Sequence, residues 1–219
     1  MHALLIGATG ATGKDLLRLL LNDNYFTHVD IFVRRNLIIQ HQKLSVHVID
    51  FDNPEQWKHL VKGDVLFSCL GTTLKAAGSK AAQRKIDFDY QYQFARAARE
   101  NNVNSYILVS SAFADPNSVT FYAKIKGELE VAVKALAFPA LTIFNPPMLV
   151  RKATDRPMEV MGLKVIHFLN KIGLFSSQKP LPTEILAQAM VNAAKANVHG
   201  TTIYQPGEIW QCAQGVVKH

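Results

Sequence analysis

The first thirteen residues place three glycines at a regular spacing directly after a short apolar run. Residues 3–6 have the composition of a buried parallel strand, and Gly7, Gly10 and Gly13 follow in the spacing G-x-x-G-x-x-G. Residues 14–21 then carry an apolar face with helical periodicity. A strand, a glycine turn and a helix in this order are typical of a dinucleotide-binding βαβ unit. The segment therefore predicts an α/β fold that binds a nucleotide at its first turn.

Each glycine of this turn has a predicted role. Gly7 allows a tight turn out of the strand, Gly10 lets a pyrophosphate approach the backbone, and Gly13 lets the helix lie close to the strand. The backbone N–H groups and the positive end of the helix dipole then face the phosphates. The predicted phosphate-binding residues are Gly7, Thr9, Gly10, Ala11, Thr12 and Gly13.

Six further apolar segments alternate with helical patterns along the 219 residues. They predict strands at 29–33, 44–49, 64–70, 105–109, 141–144 and 201–204, with helices at 81–101, from about 121, and at 185–194. Residues 74–80 are expected to form a loop. Asp87 and Glu130 are expected on solvated helix faces, although Asp87 could also come near the cofactor side. We expect one Rossmann-like domain over 1–219, with a doubly wound parallel sheet and helices on both faces. Residues 146–182 are expected to form a small C-terminal region that covers the substrate.

Composition narrows the class of protein. The hydrophobic fraction of 48% and the charged fraction of 19% are those of a globular chain. Two cysteines without a pairing pattern favour a reducing compartment, and no segment has the pattern of a signal peptide or a membrane span. We therefore expect a cytoplasmic protein, monomeric or homodimeric, that does not bind membranes.

The net charge of +7 could indicate a nucleic-acid partner, but the lysines and arginines are scattered along the chain. We predict no nucleic-acid binding and a surface that favours anionic small ligands. The eight histidines are also scattered and show no HExxH or similar spacing, so no metal site is predicted.

The end of the second predicted strand indicates which cofactor binds. Arg34 and Arg35 stand where sites that prefer NAD carry an acidic residue, and guanidinium groups suit the 2′-phosphate of NADP(H). A solvated arginine pair is the alternative. Asp50 and Phe51 follow the third strand and are expected beside the adenine, although Asp50 is equally suited to cap a helix starting near residue 54.

The end of the fourth predicted strand and the residues that follow are expected to border the cofactor. Leu70 and Gly71 stand where the second ribose passes, because a glycine after a central strand allows close approach. Cys69 is interpreted as a small buried apolar residue rather than a nucleophile, since no histidine or second cysteine accompanies it.

The catalytic residues are predicted from the fifth strand and the helix after it. Ser110 and Ser111 end the strand at the carboxyl edge of the sheet, and Tyr122 and Lys126 share a helix face at spacing i, i+4. The lysine charge favours an ionised phenol, which can exchange a proton with a carbonyl or alcohol oxygen that the serine holds. The alternative is an amphipathic helix with a tyrosine at the core edge and a snorkelling lysine.

The glycine turn, the run CLGTT at 69–73 and the run YAKIKGE at 122–128 together resemble the atypical short-chain dehydrogenase/reductases. The likeness is greatest to the Tat-interacting-protein branch, near the NmrA-like group. It implies NADPH at the glycine turn and Ser111, Tyr122 and Lys126 as the catalytic set, with Ser110 as the other candidate serine. It also implies that Asp50 and Phe51 form the adenine-side pair.

The chain departs from this family at residues 145–147, where Asn-Pro-Pro replaces the Arg-Pro-Gly that often follows the sixth strand. The contacts to nicotinamide and substrate therefore stay open. Two functions are consistent with the resemblance. One is an NADP(H)-dependent oxidoreductase acting on a small carbonyl or alcohol; the other is a non-catalytic NADP(H)-binding redox sensor that binds a protein partner.

Overall fold

The computed structural model describes residues 1–150 and 179–218. Seven of its strands form one parallel sheet in the order β3-β2-β1-β4-β5-β6-β9. They are β1 His2–Ile6, β2 His28–Val33, β3 Leu44–Val48, β4 Val65–Ser68, β5 Ser105–Val109, β6 Ala140–Phe144 and β9 Gly200–Tyr204. The strand order reverses between β1 and β4, and there the carboxyl ends of the strands open a crevice for a ligand. The predicted doubly wound fold is confirmed.

Helices cover both faces of the sheet. They are α1 Ala11–Asn22, α2 Pro54–Trp57, α3 Leu74–Ala77, α4 Lys80–Arg84, α5 Tyr90–Glu100, α6 Phe121–Lys134, α7 Thr183–Ala196 and α8 Pro206–Ala213. A 3₁₀ turn, Lys58–Leu60, follows α2, and a π-helical turn, Lys85–Asp89, joins α4 to α5. The helix predicted over 81–101 is therefore present, with one widened turn inside it.

Two apolar layers hold the helices to the sheet. On one face Leu16 and Leu20 of α1 pack with Met190 of α7 against β1 and β2. On the other face the rings of Trp57 and Phe94 stack at 4.0 Å in the layer that α5 and α6 cover. Burial of these large side chains is the main stabilising contribution, at about 1.5–3 kcal/mol for each fully buried residue.

Two segments contain helices that the periodicity did not predict. Residues 74–80, expected as a loop, include α3, whose first turn is capped by the Thr73 hydroxyl accepting the Ala76 N–H at 3.2 Å. Near the carboxyl terminus, α8 begins with a reciprocal capping box between Gln205 and Glu208. A Gln-Pro-x-Glu start is a recognisable capping signal, so the sequence held the information for α8.

Two short strands bracket the segment predicted to cover the substrate. Leu149–Val150 (β7) pairs in parallel with Leu181–Pro182 (β8) and brings the two ends of the segment together. Most of the predicted 146–182 region, namely 151–178, lies outside the described residues.

Candidate functional site

The glycine turn after β1 is held tightly by its surroundings. Gly7 has φ +84°, and a Cβ there would lie 2.5 Å from the carbonyl carbon of Cys69. A Cβ on Gly13 would lie 2.0 Å from the carbonyl oxygen of Gly7, so the helix packs directly on the turn. A larger residue at Gly7 would push the turn away from Cys69 after β4, and one at Gly13 would push α1 away from the turn.

Helix α1 begins at this turn with its amides available. Gly10 is the N-cap residue and has no side chain to cap the helix, and the first turn carries no acidic residue. The N–H groups of the first turn and the helix dipole therefore favour an anion. The structure places Thr9 and Gly10 on the cleft surface and buries Thr12 and Gly13 beneath it. The glycine turn and the first turn of α1 together therefore fit a diphosphate.

A cleft runs from this turn across the carboxyl ends of β2 and β4. Its open volume is about 660 Å³. Its lining residues are Gly7, Ala8, Thr9, Gly10, Phe32, Val33, Arg34, Phe51, Cys69, Leu70, Gly71, Thr72, Ile86 and Tyr90. The predicted residues Leu70 and Gly71 are therefore beside the glycine turn.

Several lining residues were not predicted as site residues. Ile86 and Tyr90 belong to an apolar helix face that the spacing assigns to the core, and the amino-terminal half of that face reaches the cleft. Phe32 lies near the end of β2 with its ring among the core aromatics. Strand and helix periodicity identify buried faces but not which buried positions border an opening.

Of the two predicted arginines, Arg34 lines the cleft at the end of β2, whereas Arg35 is exposed beside it and outside the lining. Of the predicted adenine pair, Phe51 is buried and lines the cleft. Asp50 is exposed, and its Oδ1 accepts the Asp52 N–H at 3.0 Å. The N-cap position before α2 belongs to Asn53, so the capping alternative for Asp50 is wrong.

Tyr90 is fixed against the outer edge of the cleft. Its hydroxyl donates to Oδ1 of Asp52 at 2.8 Å, and its ring lies 5.2 Å from that of Phe51. Burial and the Asp52 carboxylate raise the pKa of the phenol, so it stays protonated. Tyr90 is therefore held in a fixed position in the cleft lining, where its ring can pack against an aromatic or ribose group.

Cys69 borders the cleft but is not activated. Burial raises the pKa of its thiol to about 12, so almost no thiolate forms at neutral pH. This agrees with its interpretation as a small packing residue.

The buried carboxylate of Asp87 links Lys126 to the backbone of Thr72, which lines the cleft. Oδ1 of Asp87 lies 3.3 Å from Nζ of Lys126 and accepts the Thr72 N–H at 3.4 Å. The side chains of Asp87 and Lys126 are 0% and 3% exposed. Of the two positions open to Asp87, a solvated face or the cofactor side, the structure shows the second. Asp87 is buried on the π-helical turn between α4 and α5, pairs with Lys126 and contacts the backbone of Thr72.

The two serines differ in their hydrogen bonds, because Ser110 contacts a second buried carboxylate, that of Glu130. Ser110 Oγ donates to Oε1 of Glu130 at 2.6 Å, while Ser111 Oγ accepts the local Phe113 N–H at 3.3 Å and has no other partner among residues 1–150 and 179–218. Glu130 was expected on a solvated face and is instead 8% exposed. Ser110 is thus committed to the α6 contact, and the hydroxyl hydrogen of Ser111 stays available to a ligand.

Tyr122 lies one helical turn before Lys126, at the first turn of α6. The residue is 40% exposed, and its hydroxyl has no hydrogen-bond partner within residues 1–150 and 179–218. Ser111, Tyr122 and Lys126 all lie outside the cleft lining. The lysine is thus connected to the cleft by Asp87, whereas the phenol faces the solvent side of α6.

A family model described as NAD(P)H-binding matches residues 7–161. The protein HTATIP2 of Rattus norvegicus is 33% identical over 193 residues, which cover 86% of this chain and 78% of the relative. The protein FMP52, mitochondrial, of Coccidioides immitis is 34% identical over 207 residues, covering 89% and 82%. The chain belongs to the atypical short-chain dehydrogenase/reductases. The resemblance noted from the sequence is confirmed.

Solved structures support the fold of this dehydrogenase/reductase. The structure of MoeE5 in complex with UDP-glucose and NAD matches with a TM-score of 0.70 at 15% identity, covering 94% of this chain and 75% of that one. The chain contains an NAD(P)H-binding domain, and the glycine turn stands at the start of the matched region.

The expected cytoplasmic location of this dehydrogenase/reductase is wrong. FMP52, similar over most of the chain, is named a mitochondrial protein in several fungi. Composition could not show this, because cysteine usage reports a redox environment and not an organelle. Within the described residues, none of the helices has the length and apolarity to cross a bilayer.

Proposed function

We propose that the protein is an NADP(H)-dependent oxidoreductase that transfers hydride to or from a small carbonyl or alcohol. The observation that carries the proposal is the buried Lys126–Asp87 pair, which ends at the backbone of Thr72 in the nucleotide cleft. A buried cation at this place favours negative charge on a nearby oxygen. A protein that only held a nucleotide would not need it.

The glycine turn would hold the diphosphate, and the first turn of α1, with Ala11 and Thr12, would supply amides and dipole. Arg34 would hold the 2′-phosphate, with Arg35 as a second charge at longer range. Phe51 would pack on the adenine side, and Leu70 and Gly71 would border the second ribose. When bound, the cofactor supplies or accepts the hydride.

On the substrate side, Tyr122 would give a proton to the carbonyl oxygen or take one from the alcohol. Ser111 would donate its free hydroxyl to the same oxygen, because Ser110 is held by Glu130. Lys126 would favour the ionised phenol through its charge, and Asp87 would fix the position of that charge.

Turnover by purified protein tests the catalytic part. We expect NADPH oxidation with members of a carbonyl panel, and Tyr122→Phe to lower kcat by about 10²–10⁴-fold without weakening NADPH binding. Tyr25→Phe is the matched control, because this tyrosine is 43% exposed against 40% for Tyr122 and lies after α1, outside the site. Equal loss in both variants, or no loss in Tyr122→Phe, refutes the acid–base assignment.

Calorimetry with the two cofactors tests the arginines separately. A hydrogen bond to a charged group contributes about 1.5–3 kcal/mol, so Arg34→Ala should weaken NADPH binding about 10–150-fold. NADH binding should change far less, and Arg35→Ala should have the smaller effect because Arg35 lies outside the cleft lining. Equal losses for NADPH and NADH would remove the 2′-phosphate from the proposal.

The exposure of Tyr122 favours a second candidate function. The phenol is 40% exposed and unpartnered within the described residues, so no contact there orients it toward a reacting oxygen. A non-catalytic NADP(H)-binding redox sensor with a protein partner would show this feature. Such a sensor binds NADPH normally but shows no turnover with any carbonyl, and its partner affinity differs between NADPH and NADP⁺.

We also propose a mitochondrial location, because the FMP52 relatives are named mitochondrial. Imaging of a carboxyl-terminal fluorescent fusion against a mitochondrial marker tests it, and a diffuse signal outside the organelle contradicts it. The absence of nucleic-acid and membrane binding, and a monomeric or homodimeric state, remain predictions.

A further inference from the structure

Three imidazoles and one carboxylate converge at the amino-terminal edge of the sheet. His2 begins β1, His28 begins β2, and His47 lies on β3, all around Asp30 of β2. Nε2 of His2 lies 3.0 Å from Oδ2 of Asp30, and Nε2 of His28 lies 3.0 Å from Oδ1. Nε2 of His47 lies 3.4 Å from the same Oδ1. Each histidine thus turns the same ring nitrogen toward one acid.

The parallel register assembles this cluster. His2 pairs with His28, Asp30 with Ser45, and Phe32 with His47, while His28 and Asp30 share a face because side chains alternate along a strand. These positions are far apart in sequence, which is why the scattered histidines predicted no metal site. His2 lies about 16 Å from Gly7, five residues along the chain at about 3.3 Å each.

We propose that His2, His28 and Asp30 bind a divalent transition-metal ion, with His47 as an adjacent fourth ligand. The ligand atoms of His2, His28 and Asp30 all lie within 4.8 Å of one another. With metal–nitrogen bonds of about 2.0–2.1 Å, ligands of a tetrahedral zinc ion are about 3.3 Å apart. The two nitrogen–oxygen separations of 3.0 Å, made to different oxygens of Asp30, are within a few tenths of an ångström of this value. The ligand atoms all lie within 4.8 Å of one another, so binding an ion would bring them closer by about 1.5 Å at most.

The supporting contacts hold the ligands in place. The His2 N–H donates to Oδ2 of Asp64 at 2.6 Å, which fixes the first ligand at the strand end. The His47 ring stacks on Phe32 at 4.9 Å. Ser45 Oγ lies 3.1 Å from Nε2 of His28, so an ion bound to this nitrogen would displace that contact. A site built on three adjacent strands is rigid before an ion arrives.

The donor set indicates the class of ion. Imidazole nitrogens with one carboxylate suit Zn²⁺, Co²⁺, Ni²⁺ or Cu²⁺, whereas Mg²⁺ and Ca²⁺ prefer oxygen ligands. The side chains of His2 and His28 are 31% and 42% exposed, so an ion can enter from solvent, while Asp30 is only 10% exposed. The single carboxylate also offsets part of the charge of the ion.

Tag-free full-length protein titrated with Zn²⁺ or Co²⁺ alone tests the site. We expect one ion per chain, the visible absorption of tetrahedral Co²⁺, and a Tm that rises with zinc concentration. His2→Gln, His28→Gln and Asp30→Asn should each weaken binding by more than the roughly 10–100-fold that loss of a supporting partner causes. His199→Gln is the matched control, because this exposed histidine precedes β9 at the opposite edge of the sheet.

NADPH binding by each variant shows that it has folded. Unchanged zinc affinity in a folded Asp30→Asn variant, or an equal loss in His199→Gln, overturns the proposal. Absence of the cobalt absorption with wild-type protein also overturns it and leaves the histidines as hydrogen-bond donors to Asp30. None of these outcomes depends on turnover, so this site and the proposed oxidoreductase activity stand or fall separately.

Discussion

Asp87→Asn is expected to be strongly destabilising, because it leaves the Lys126 charge buried without its partner. Both side chains are at most 3% exposed, and Oδ1 of Asp87 serves both Lys126 and the Thr72 N–H. Removing one member of a buried ion pair costs about 3–5 kcal/mol. Against a typical total stability of about 5–15 kcal/mol, this loss is large.

Urea unfolding followed by circular dichroism measures the effect. We expect a lower midpoint at an unchanged slope for Asp87→Asn, and at least partial recovery in the double variant with Lys126→Met, because the unpaired charge is then absent. Glu100→Gln is the control: its pair with Arg96 is 53–57% exposed, and such surface pairs contribute about 0–1 kcal/mol.

Two results would refute this reasoning about the buried pair. One is an unfolding free energy for Asp87→Asn within about 1 kcal/mol of wild type, which would place its loss in the range of a surface pair. The other is a double variant whose loss equals the sum of the two single losses, since independent sites add and coupled ones do not.

Three further predictions concern the thiol, the turn and acid stability. Alkylation of Cys69 at about pH 8 should be on the order of 10³-fold slower than that of an exposed cysteine and should rise with pH toward 12; a plateau near pH 9 contradicts this. Gly13→Ala should abolish NADPH binding and lower Tm, since its Cβ meets backbone at 2.0 Å, whereas Gly207→Ala has open space and should do neither. Burial by itself would raise the pKa of Asp23, but the ion pair with Lys195, the Tyr25 N–H and the charge of Lys43 together outweigh it, so the net pKa is lowered. That stabilisation is present above about pH 4 and is lost as pH falls through the lower folded pKa, so Asp23→Asn should flatten the acid limb of the pH–Tm curve; an unchanged limb contradicts it.

The local sequence pattern was sufficient to predict the main strands and helices of the protein. Strand β1, the glycine turn and α1 are encoded by contiguous residues, because backbone conformation and strand periodicity depend on near neighbours. The same is true of β5 and of α6 with its Tyr-x-x-x-Lys spacing. The family resemblance rested on these segments and was confirmed with them.

Contacts between residues far apart in sequence determine which charged side chains are buried and how their surroundings shift a pKa. Asp87 and Glu130 are charged residues expected on solvated helix faces, yet each is buried because Lys126 or Ser110 from another element pairs with it. Cys69 follows a predicted strand, but its raised pKa comes from the packing around it.

The sequence of residues 1–13 by itself predicts a βαβ nucleotide turn. Each glycine there acts on atoms a few residues away or on the neighbouring strand of the sheet. What only the tertiary structure decided is which charges face each other. The parallel register of β1 and β2 brings His2, His28 and Asp30 together across 28 positions of chain. Electrostatic interaction depends on distance in space, and a linear pattern does not contain that distance.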